Sequence, residues 1–393
     1  MLSNKRPNAF TIIELLVVVS IIALLIGILL PAIGKARDSA RQTVSTTNLR
    51  NMSTAHAAYA ADSNGRQVTN IVDNLASFGS MSPGGYIQAL NMFNEAVADD
   101  PSDPDRPERG HPNIYVGWGP GSDGEMHIWG YRLDGSFGGH TWATNVIYWY
   151  GSAGSPVYGF GYFRMPNVQQ FTQYLSGRFY APEFYAPKDT QNYECVKTAF
   201  DAPYEFIPPP GSGVADFTLP CADPHAWSSY CLSPAAYWNP KVLSYNDATD
   251  AYFKDPWTMP AGLRTPAMSQ ARYPALKTHM LEHHWLQNRR VECNPGFIGG
   301  TYDDCEPYFF NHGWQSSPVT LFYDGHVGQL GVRTAEMADG RVRTQTDPEH
   351  GLWSRDTPFQ EDGYFINFGY DQANTSFHIL TIDGILGRDT LSQ

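Results

Sequence analysis

Cysteine is scarce in this chain of 393 residues: there are five, at 195, 221, 231, 293 and 305, and no two are spaced as C-x-x-C. A zinc ribbon and a thioredoxin-like redox motif are thereby excluded. The pairs Cys221/Cys231 and Cys293/Cys305 are close enough in sequence to close loops as disulfides in an oxidising compartment. The alternative for each pair is two buried thiols, and Cys195 is left over. Charge is sparse as well, at 17% of residues, and the balance is acidic, 39 Asp and Glu against 26 Lys and Arg, for a net charge of −13. A broad grip on nucleic acid needs a positive surface, so no nucleic-acid partner is expected. The hydrophobic content of 42% supports a real core and excludes a disordered chain.

Motifs for catalysis are missing. No G-x-S-x-G elbow, G-x-x-x-x-G-K-[ST] phosphate loop or H-E-x-x-H zinc motif occurs, so no enzyme is expected. His279, His283 and His284 beside Glu282 lack a metal-ligand spacing, and neighbours on a strand point to opposite faces; structural use is expected of them. The acidic run DDPSDPDRPERG at 99–110 lacks the regular pattern of a calcium loop. No metal or other cofactor is expected, with calcium at a loop such as Asp303, Asp304 and Glu306 as the alternative.

What the sequence does contain is concentrated at its start. After the short polar stretch 1–9, residues Leu15 to Ile33 form a run of 19 without a charge. As a helix that run spans roughly 28 Å, close to the hydrocarbon thickness of a bilayer. A cleaved signal peptide is the alternative, but the run is longer than an h-region and no small-x-small cleavage site follows it. A carboxylate, Glu14, also stands at its head. The expectation is a retained membrane helix. Glu14 at the apolar edge costs up to about 2.5–3.5 kcal/mol at full depth, so it needs a partner. A cut between Ala9 and Phe10 would place a new α-amino group one helical turn from it. Snorkelling to the headgroups is the alternative. Lys5 and Arg6 on one side of the span face Lys35, Arg37 and Arg41 on the other, so charge bias alone sets no orientation.

Helical spacing continues beyond the span. Ile33, Ala36, Ala40 and Val44 recur every three or four residues, as do Leu49, Met52, His56 and Tyr59, until Asn64-Gly65 supplies a stop. One helix over 10–62 is predicted, its outer half offering an apolar stripe to a sheet, with His56 a core residue. Residues 111–260 are rich in Gly, Pro, Tyr, Trp and Phe, which predicts small strands among large loops, their aromatics mostly core. Residues 272–330 read as sheet, and PVTLFYDGHVGQL as a hairpin around a two-residue Asp324-Gly325 turn. In the last stretch, GYFINFGY and SFHILTIDGILG read as strand-like pieces.

The segment AFTIIELLVVVSIIALLIGILLPAI resembles the cleavage and methylation segment of type IV pilins and type II secretion pseudopilins. The resemblance implies a prepilin peptidase/N-methyltransferase that cuts on the cytoplasmic side between Ala9 and Phe10 and methylates Phe10, with Ala9 in place of the family's usual Gly. It implies that Glu14 places each subunit axially in a filament, and that Pro31 is the family's helix-kinking proline. It also implies that other pilin or pseudopilin subunits are partners, that the amino terminus is cytoplasmic, and that the globular part lies across the cytoplasmic membrane. FNHGWQSSPVTLFYDGHV further resembles a carboxy-terminal signature of large pilin-like proteins of planctomycete-type bacteria, marked here by His312, Asp324 and Gly325. NLRNMSTAHAAYAADSNGR resembles the helix end of the same proteins.

The expected fold is α+β and pilin-like: a leader at 1–9, a membrane-spanning helix at 10–33, its continuation at 34–62, and a globular domain at 63–393 with a loop-rich insertion over about 101–260. The expected function is a structural subunit of a type IV pilus-like or pseudopilus filament. The alternative is a membrane-tethered binding module whose aromatic insertion takes a glycan or protein ligand.

Overall fold

The computed structural model describes residues 11–68, 166–189 except 168 and 179, 228–245, 264–282, 317–345, 350–354 and 378–392. It also describes scattered single residues and four strands at the level of their backbone. Residues 1–10, His312, Cys195, Cys221, Cys293, Cys305, His283, His284, Asp303, Asp304, Glu306, the acidic run at 99–110 and GYFINFGY lie outside the described residues.

One long helix, α1, runs from Ile12 to Asp62, 51 residues or about 77 Å. Thr11 begins it in an extended conformation, and the chain stays helical through Pro31, whose missing N–H leaves the Gly27 carbonyl without its helical donor. At the far end Asn64 and Gly65 take left-handed angles (φ 56° and 79°). The Gly65 N–H there turns back to the Ala60 carbonyl at 2.6 Å, which stops the helix where Asn64-Gly65 was expected to.

The stretch expected to hold small strands contains two antiparallel pairs, β1 (Ile114–Pro120) with β2 (Met126–Tyr131), and β3 (Tyr148–Tyr150) with β4 (Tyr158–Phe160). A separate four-stranded antiparallel sheet follows in the order β5 (Tyr230–Leu232), β6 (Thr278–Glu282), β7 (Val319–Phe322), β8 (Val327–Gln329). Each neighbour in the sheet is the next strand in sequence. The architecture is α+β, with the outer part of α1 packed over β7 and β8. Leu49, Met52 and Ala55 of the helix join Met280, Leu281, Val319 and Leu321 of the sheet in one buried cluster. Tyr230, Tyr237, Trp238, Phe184 and Tyr185 complete it, so these aromatics are core. A second helix, α2 (Val332–Gln345), follows β8 and turns Val332, Ala335 and Ala338 inward.

Three expectations are corrected. The apolar stripe predicted on the outer half of α1 is covered only in its later part: Leu49, Met52 and His56 are buried, whereas Ile33 and Val44 are 50% and 47% exposed. Full burial begins at Ser45; below it Arg41 and Gln42 are half-buried, and Lys188 of the globular part reaches Asp38 at 3.5 Å without covering the helix. SFHILTIDGILG is not a strand among the described residues. Thr381 makes a single bridge to Trp353, and the chain then turns into a short 3-10 helix at Gly384–Leu386. Asp383 and Gly384 have φ of 61° and 56°, which takes the backbone out of the extended region.

The hairpin exists, but its loop has three residues rather than two. The Phe322 N–H donates to the His326 carbonyl at 3.0 Å, and the Gly325 N–H donates to the Phe322 carbonyl at 2.9 Å. Only Gly325 takes a positive φ, 86°. Asp324 keeps a negative φ, as a three-residue loop requires, its carboxylate accepts the His326 N–H at 3.1 Å, and the turn closes with a bulge at Gly325. A side chain at Gly325 would be strained whatever the space around it, although a Cβ there would sit 3.6 Å from Ser53 Oγ on α1. Gly325→Val is therefore expected to lower stability by about 2 kcal/mol. Gly325→Asn, which tolerates the left-handed region, should lose much less; urea midpoints of the two variants check the order. Equal midpoints would show that the turn is not held in this conformation.

Candidate functional site

The head of α1 is a reciprocal cap. The Glu14 N–H donates to Thr11 Oγ1 at 3.3 Å, while the Thr11 N–H and hydroxyl donate to Glu14 Oε2 at 2.9 and 2.8 Å. This is the capping box expected of a Thr three residues ahead of a Glu, and it satisfies amides that the first turn leaves without helical partners. Glu14 is thus engaged by Thr11, whereas the partner expected for it, the α-amino group of a cut chain at Phe10, lies outside the described residues. The amide and hydroxyl it bonds lie one residue beyond Phe10. Behind the cap, the uncharged apolar stretch of α1 is covered by no other described part of the chain. Leu15, Ile22, Leu25 and Leu29 are all about half exposed. Among the described residues nothing covers this surface, and a bare apolar surface of this size is the kind that meets a membrane or another chain.

Three buried polar clusters fix the sheet. The first lies on the seam with α1. Ser45 Oγ donates to Glu282 Oε1 at 2.6 Å and lies 2.9 Å from the Tyr230 hydroxyl, and Asn48 Nδ2 reaches that hydroxyl at 3.3 Å. The Val319 N–H donates to Glu282 Oε2 at 3.1 Å. Burial, and then the Glu282 charge, push the Tyr230 phenol far above its ordinary value, so it stays neutral and able to donate.

The second cluster packs His56 at a tilt against His279, centroids 4.5 Å apart, with Phe171 tilted against His56 at 4.3 Å and Tyr323 stacked on His279 at 4.6 Å. The register of β6 slips between Thr278 and Met280, and this bulge re-aims His279. Burial, and secondarily the Lys277 charge, lower His279 to about 3. Burial, and then His279, lower His56 as well. Both rings are neutral packing elements, as sequence reasoning expected of them. Their centroids are too close for a metal ion between facing ring nitrogens, which needs roughly 6 Å at ordinary metal–nitrogen distances.

The third cluster is an ion pair. Lys277 Nζ lies 3.0 Å from Asp389 Oδ2 and also donates to Ser233 Oγ at 2.9 Å and Thr381 Oγ1 at 2.7 Å. Asp389 further accepts the Thr278 N–H at 2.8 Å, the His378 N–H at 3.1 Å and the Thr381 hydroxyl at 2.6 Å. Both side chains are wholly buried. Burial alone would raise the Asp389 carboxyl, but Lys277 and these hydrogen bonds outweigh it and hold the group below the usual carboxylate range. All three ammonium protons of Lys277 are used and no solvent reaches the group, so the cluster ties elements together and offers nothing to a substrate.

Sequence reasoning placed His56 in the core and Asp324-Gly325 in a hairpin, and the structure has both there. It missed Ser45, Asn48 and Glu282 on the seam, and Lys277 with Asp389. Ser45 and Asn48 stand in the run STTN, where the neighbouring Thr46 and Thr47 carry the same chemistry on more exposed faces, so composition could not single them out. Cys231 is buried on β5, and the pairing considered for it with Cys221 involves a residue outside those described. Among the described residues, no group of three or more His, Cys, Asp or Glu side chains is placed to hold a metal ion.

The family described as "Prokaryotic N-terminal methylation motif" matches residues 4–30, which include Ala9, Phe10, Thr11, Glu14 and most of the uncharged span. The amino-terminal segment is thus of the type IV pilin-like prepilin kind, carried on a long apolar helix. Neither the curated proteins nor the solved structures yield a match to the chain.

Proposed function

We propose that the chain is a structural subunit of a type IV pilus-like or type II secretion pseudopilus filament. A prepilin peptidase/N-methyltransferase would cut it between Ala9 and Phe10. It is held in the cytoplasmic membrane with its amino terminus cytoplasmic and its globular part on the far side, and other pilin or pseudopilin subunits are its assembly partners. The observation that carries the reading is the capped, charged head on a bare apolar helix inside the methylation motif.

The chemistry follows from where Glu14 sits. In the uncut chain its carboxylate is engaged by the Thr11 amide and hydroxyl. Removing residues 1–9 leaves a cationic amine on Phe10, next to those groups, where opposite charge favours pairing with a Glu14 carboxylate. In low dielectric such a pair is worth far more than in water. A carboxylate that meets the amine of a neighbouring helix selects one axial offset between the two. The exposed side chains from Leu15 to Ile33 then exchange lipid for other helices without meeting a charge.

Mass spectrometry of the amino terminus of membrane-extracted chain tests the processing step. N-methyl-Phe10 is the expected first residue, and an intact Met1 would favour a plain anchor. Glu14→Ala is expected to be cut normally but to fall at least tenfold in filament incorporation. Unchanged incorporation would remove the pairing argument.

A further inference from the structure

Between the end of the uncharged span at Ile33 and the first buried residue at Ser45, α1 is exposed or half-buried along its length. Lys35, Arg37 and Arg41 stand on this stretch in a chain whose net charge is −13. The only carboxylate among residues 34–44, Asp38, lies 3.5 Å from Lys188, so its charge is countered from the globular side. We propose that Lys35, Arg37 and Arg41 form a girdle that binds the phosphates of anionic phospholipids in the leaflet facing the globular part. This rests on the membrane reading above and adds the lipid class and the residues.

Three observations choose a lipid surface over a protein. The first is depth. Lys35, Arg37 and Arg41 lie roughly 3, 6 and 12 Å beyond Ile33 along the axis, and the headgroup layer is about 5–8 Å thick on each side. The second is direction. Side chains on a helix lean toward its amino terminus, which here is toward the bilayer, so even Arg41 reaches back over the headgroups. The third is distribution. At about 100° per residue, Arg37 and Arg41 share one side of the helix and Lys35 lies roughly 120–160° away. A headgroup layer surrounds a helix and can meet charges on both sides, whereas a docked protein would meet one side.

The girdle would set the depth at which the helix is held, and its phosphate contacts must be broken when the helix leaves the bilayer for a filament. Native mass spectrometry of the full chain, extracted in neutral detergent and given equal phosphatidylglycerol and phosphatidylcholine, reads the preference directly. The wild-type chain is expected to retain phosphatidylglycerol preferentially, and each Gln substitution at 35, 37 or 41 to lower the enrichment about fivefold. Lys5 and Arg6 are common to both chains and cancel in the comparison. Equal retention of the two lipids by wild type, or unchanged enrichment in Lys35→Gln/Arg37→Gln/Arg41→Gln, would overturn the proposal. So would salt-sensitive cross-linking between wild-type chains in phosphatidylcholine alone that the triple variant loses, which assigns the girdle to a second copy. Carbonate extraction separates the two levels: a chain washed off its vesicles refutes the membrane reading, while one that stays inserted without lipid preference refutes the girdle alone.

Discussion

Lys277→Met is expected to destabilise the globular part by about 3–5 kcal/mol, because it leaves the Asp389 carboxylate buried with no compensating charge. The melting midpoint of the detergent-extracted chain should fall by on the order of 10 °C. Two properties of the cluster make the expectation large. Neither partner reaches solvent, and Lys277 holds together three parts of the chain through Asp389, Ser233 and Thr381. Asp389 in turn accepts two backbone N–H groups, from Thr278 at the start of β6 and from His378. The pair is therefore the clasp that holds the terminal segment 378–392 to the sheet, across 112 positions of sequence. Asp389→Asn should cost less than Lys277→Met, since the amide oxygen still accepts hydrogen bonds, but it strands the ammonium. The double variant Lys277→Met/Asp389→Leu removes both charges and should recover most of the loss, as buried pairs replaced by apolar groups often do. A single variant melting within 2 °C of wild type would show that the clasp contributes nothing. A double variant no better than the worse single one would show that the hydrogen bonds to the backbone, and not the charges, carry the effect.

The parts of this structure that the sequence made legible are those written in neighbouring residues. The uncharged run from Leu15 to Ile33 marks a long apolar helix by itself, whereas the cap formed by Thr11 and Glu14 went unread although the two residues lie within four positions. Asp324-Gly325 between two apolar runs marks a hairpin for equally local reasons, although the dipeptide alone does not decide between a two-residue and a three-residue loop. The helix α2 was invisible for a different reason. Its buried residues are Val332, Ala335, Ala338 and Asp339, small or charged, so no hydrophobic period stands out, and Gly340 sits in its interior. Asp339 is tolerated inside because Arg343 Nε donates to it at 2.7 Å and the Leu352 N–H at 2.6 Å. Those partners exist only once the chain has folded. The same holds for Glu282 with Ser45, 237 positions apart, and for Lys277 with Asp389. The exposed stripe from Ile33 to Val44 failed in the opposite way: its spacing is local and correct, but spacing says only that a face could be covered, not that anything reaches it.

Acid is expected to destabilise the globular part through its buried histidines, starting above the range in which carboxylates titrate. His279 and His378 are lowered to about 3, by burial first in each case, and His56 is lowered as well. Among the charged groups facing them, Lys277 disfavours protonation of His279 and His378, while Asp389 favours it at His378 without overcoming burial. On unfolding, each imidazole returns to its ordinary value near 6.5. Between that value and about 3 the unfolded chain binds protons that the folded chain refuses. Stability is therefore complete above pH 6.5 and is lost as pH falls through that window, by about 1.4 kcal/mol per pH unit for each histidine once below its unfolded value. Three histidines together give a slope near 4 kcal/mol per pH unit, enough to exhaust the stability of an ordinary domain by about pH 4–5. The geometry explains why the rings cannot simply accept the charge. His56 Nδ1 and His279 Nε2 are buried with no hydrogen-bond partner among the described residues, so a proton added there would become an N–H donor facing nothing. Asp389, also depressed, loses its contribution only below the ordinary Asp value, so the interval from pH 5 to 6.5 isolates the histidines. Urea midpoints measured at half-unit steps across that interval should fall steadily. Replacing His56, whose ring touches Phe171 and His279, with Phe should reduce the slope by about one third without reversing it. A flat profile from pH 6.5 to 5 would mean that all three rings take up protons in the folded chain as they do in the unfolded one, and the neutral ring pair between α1 and β6 would have to be abandoned.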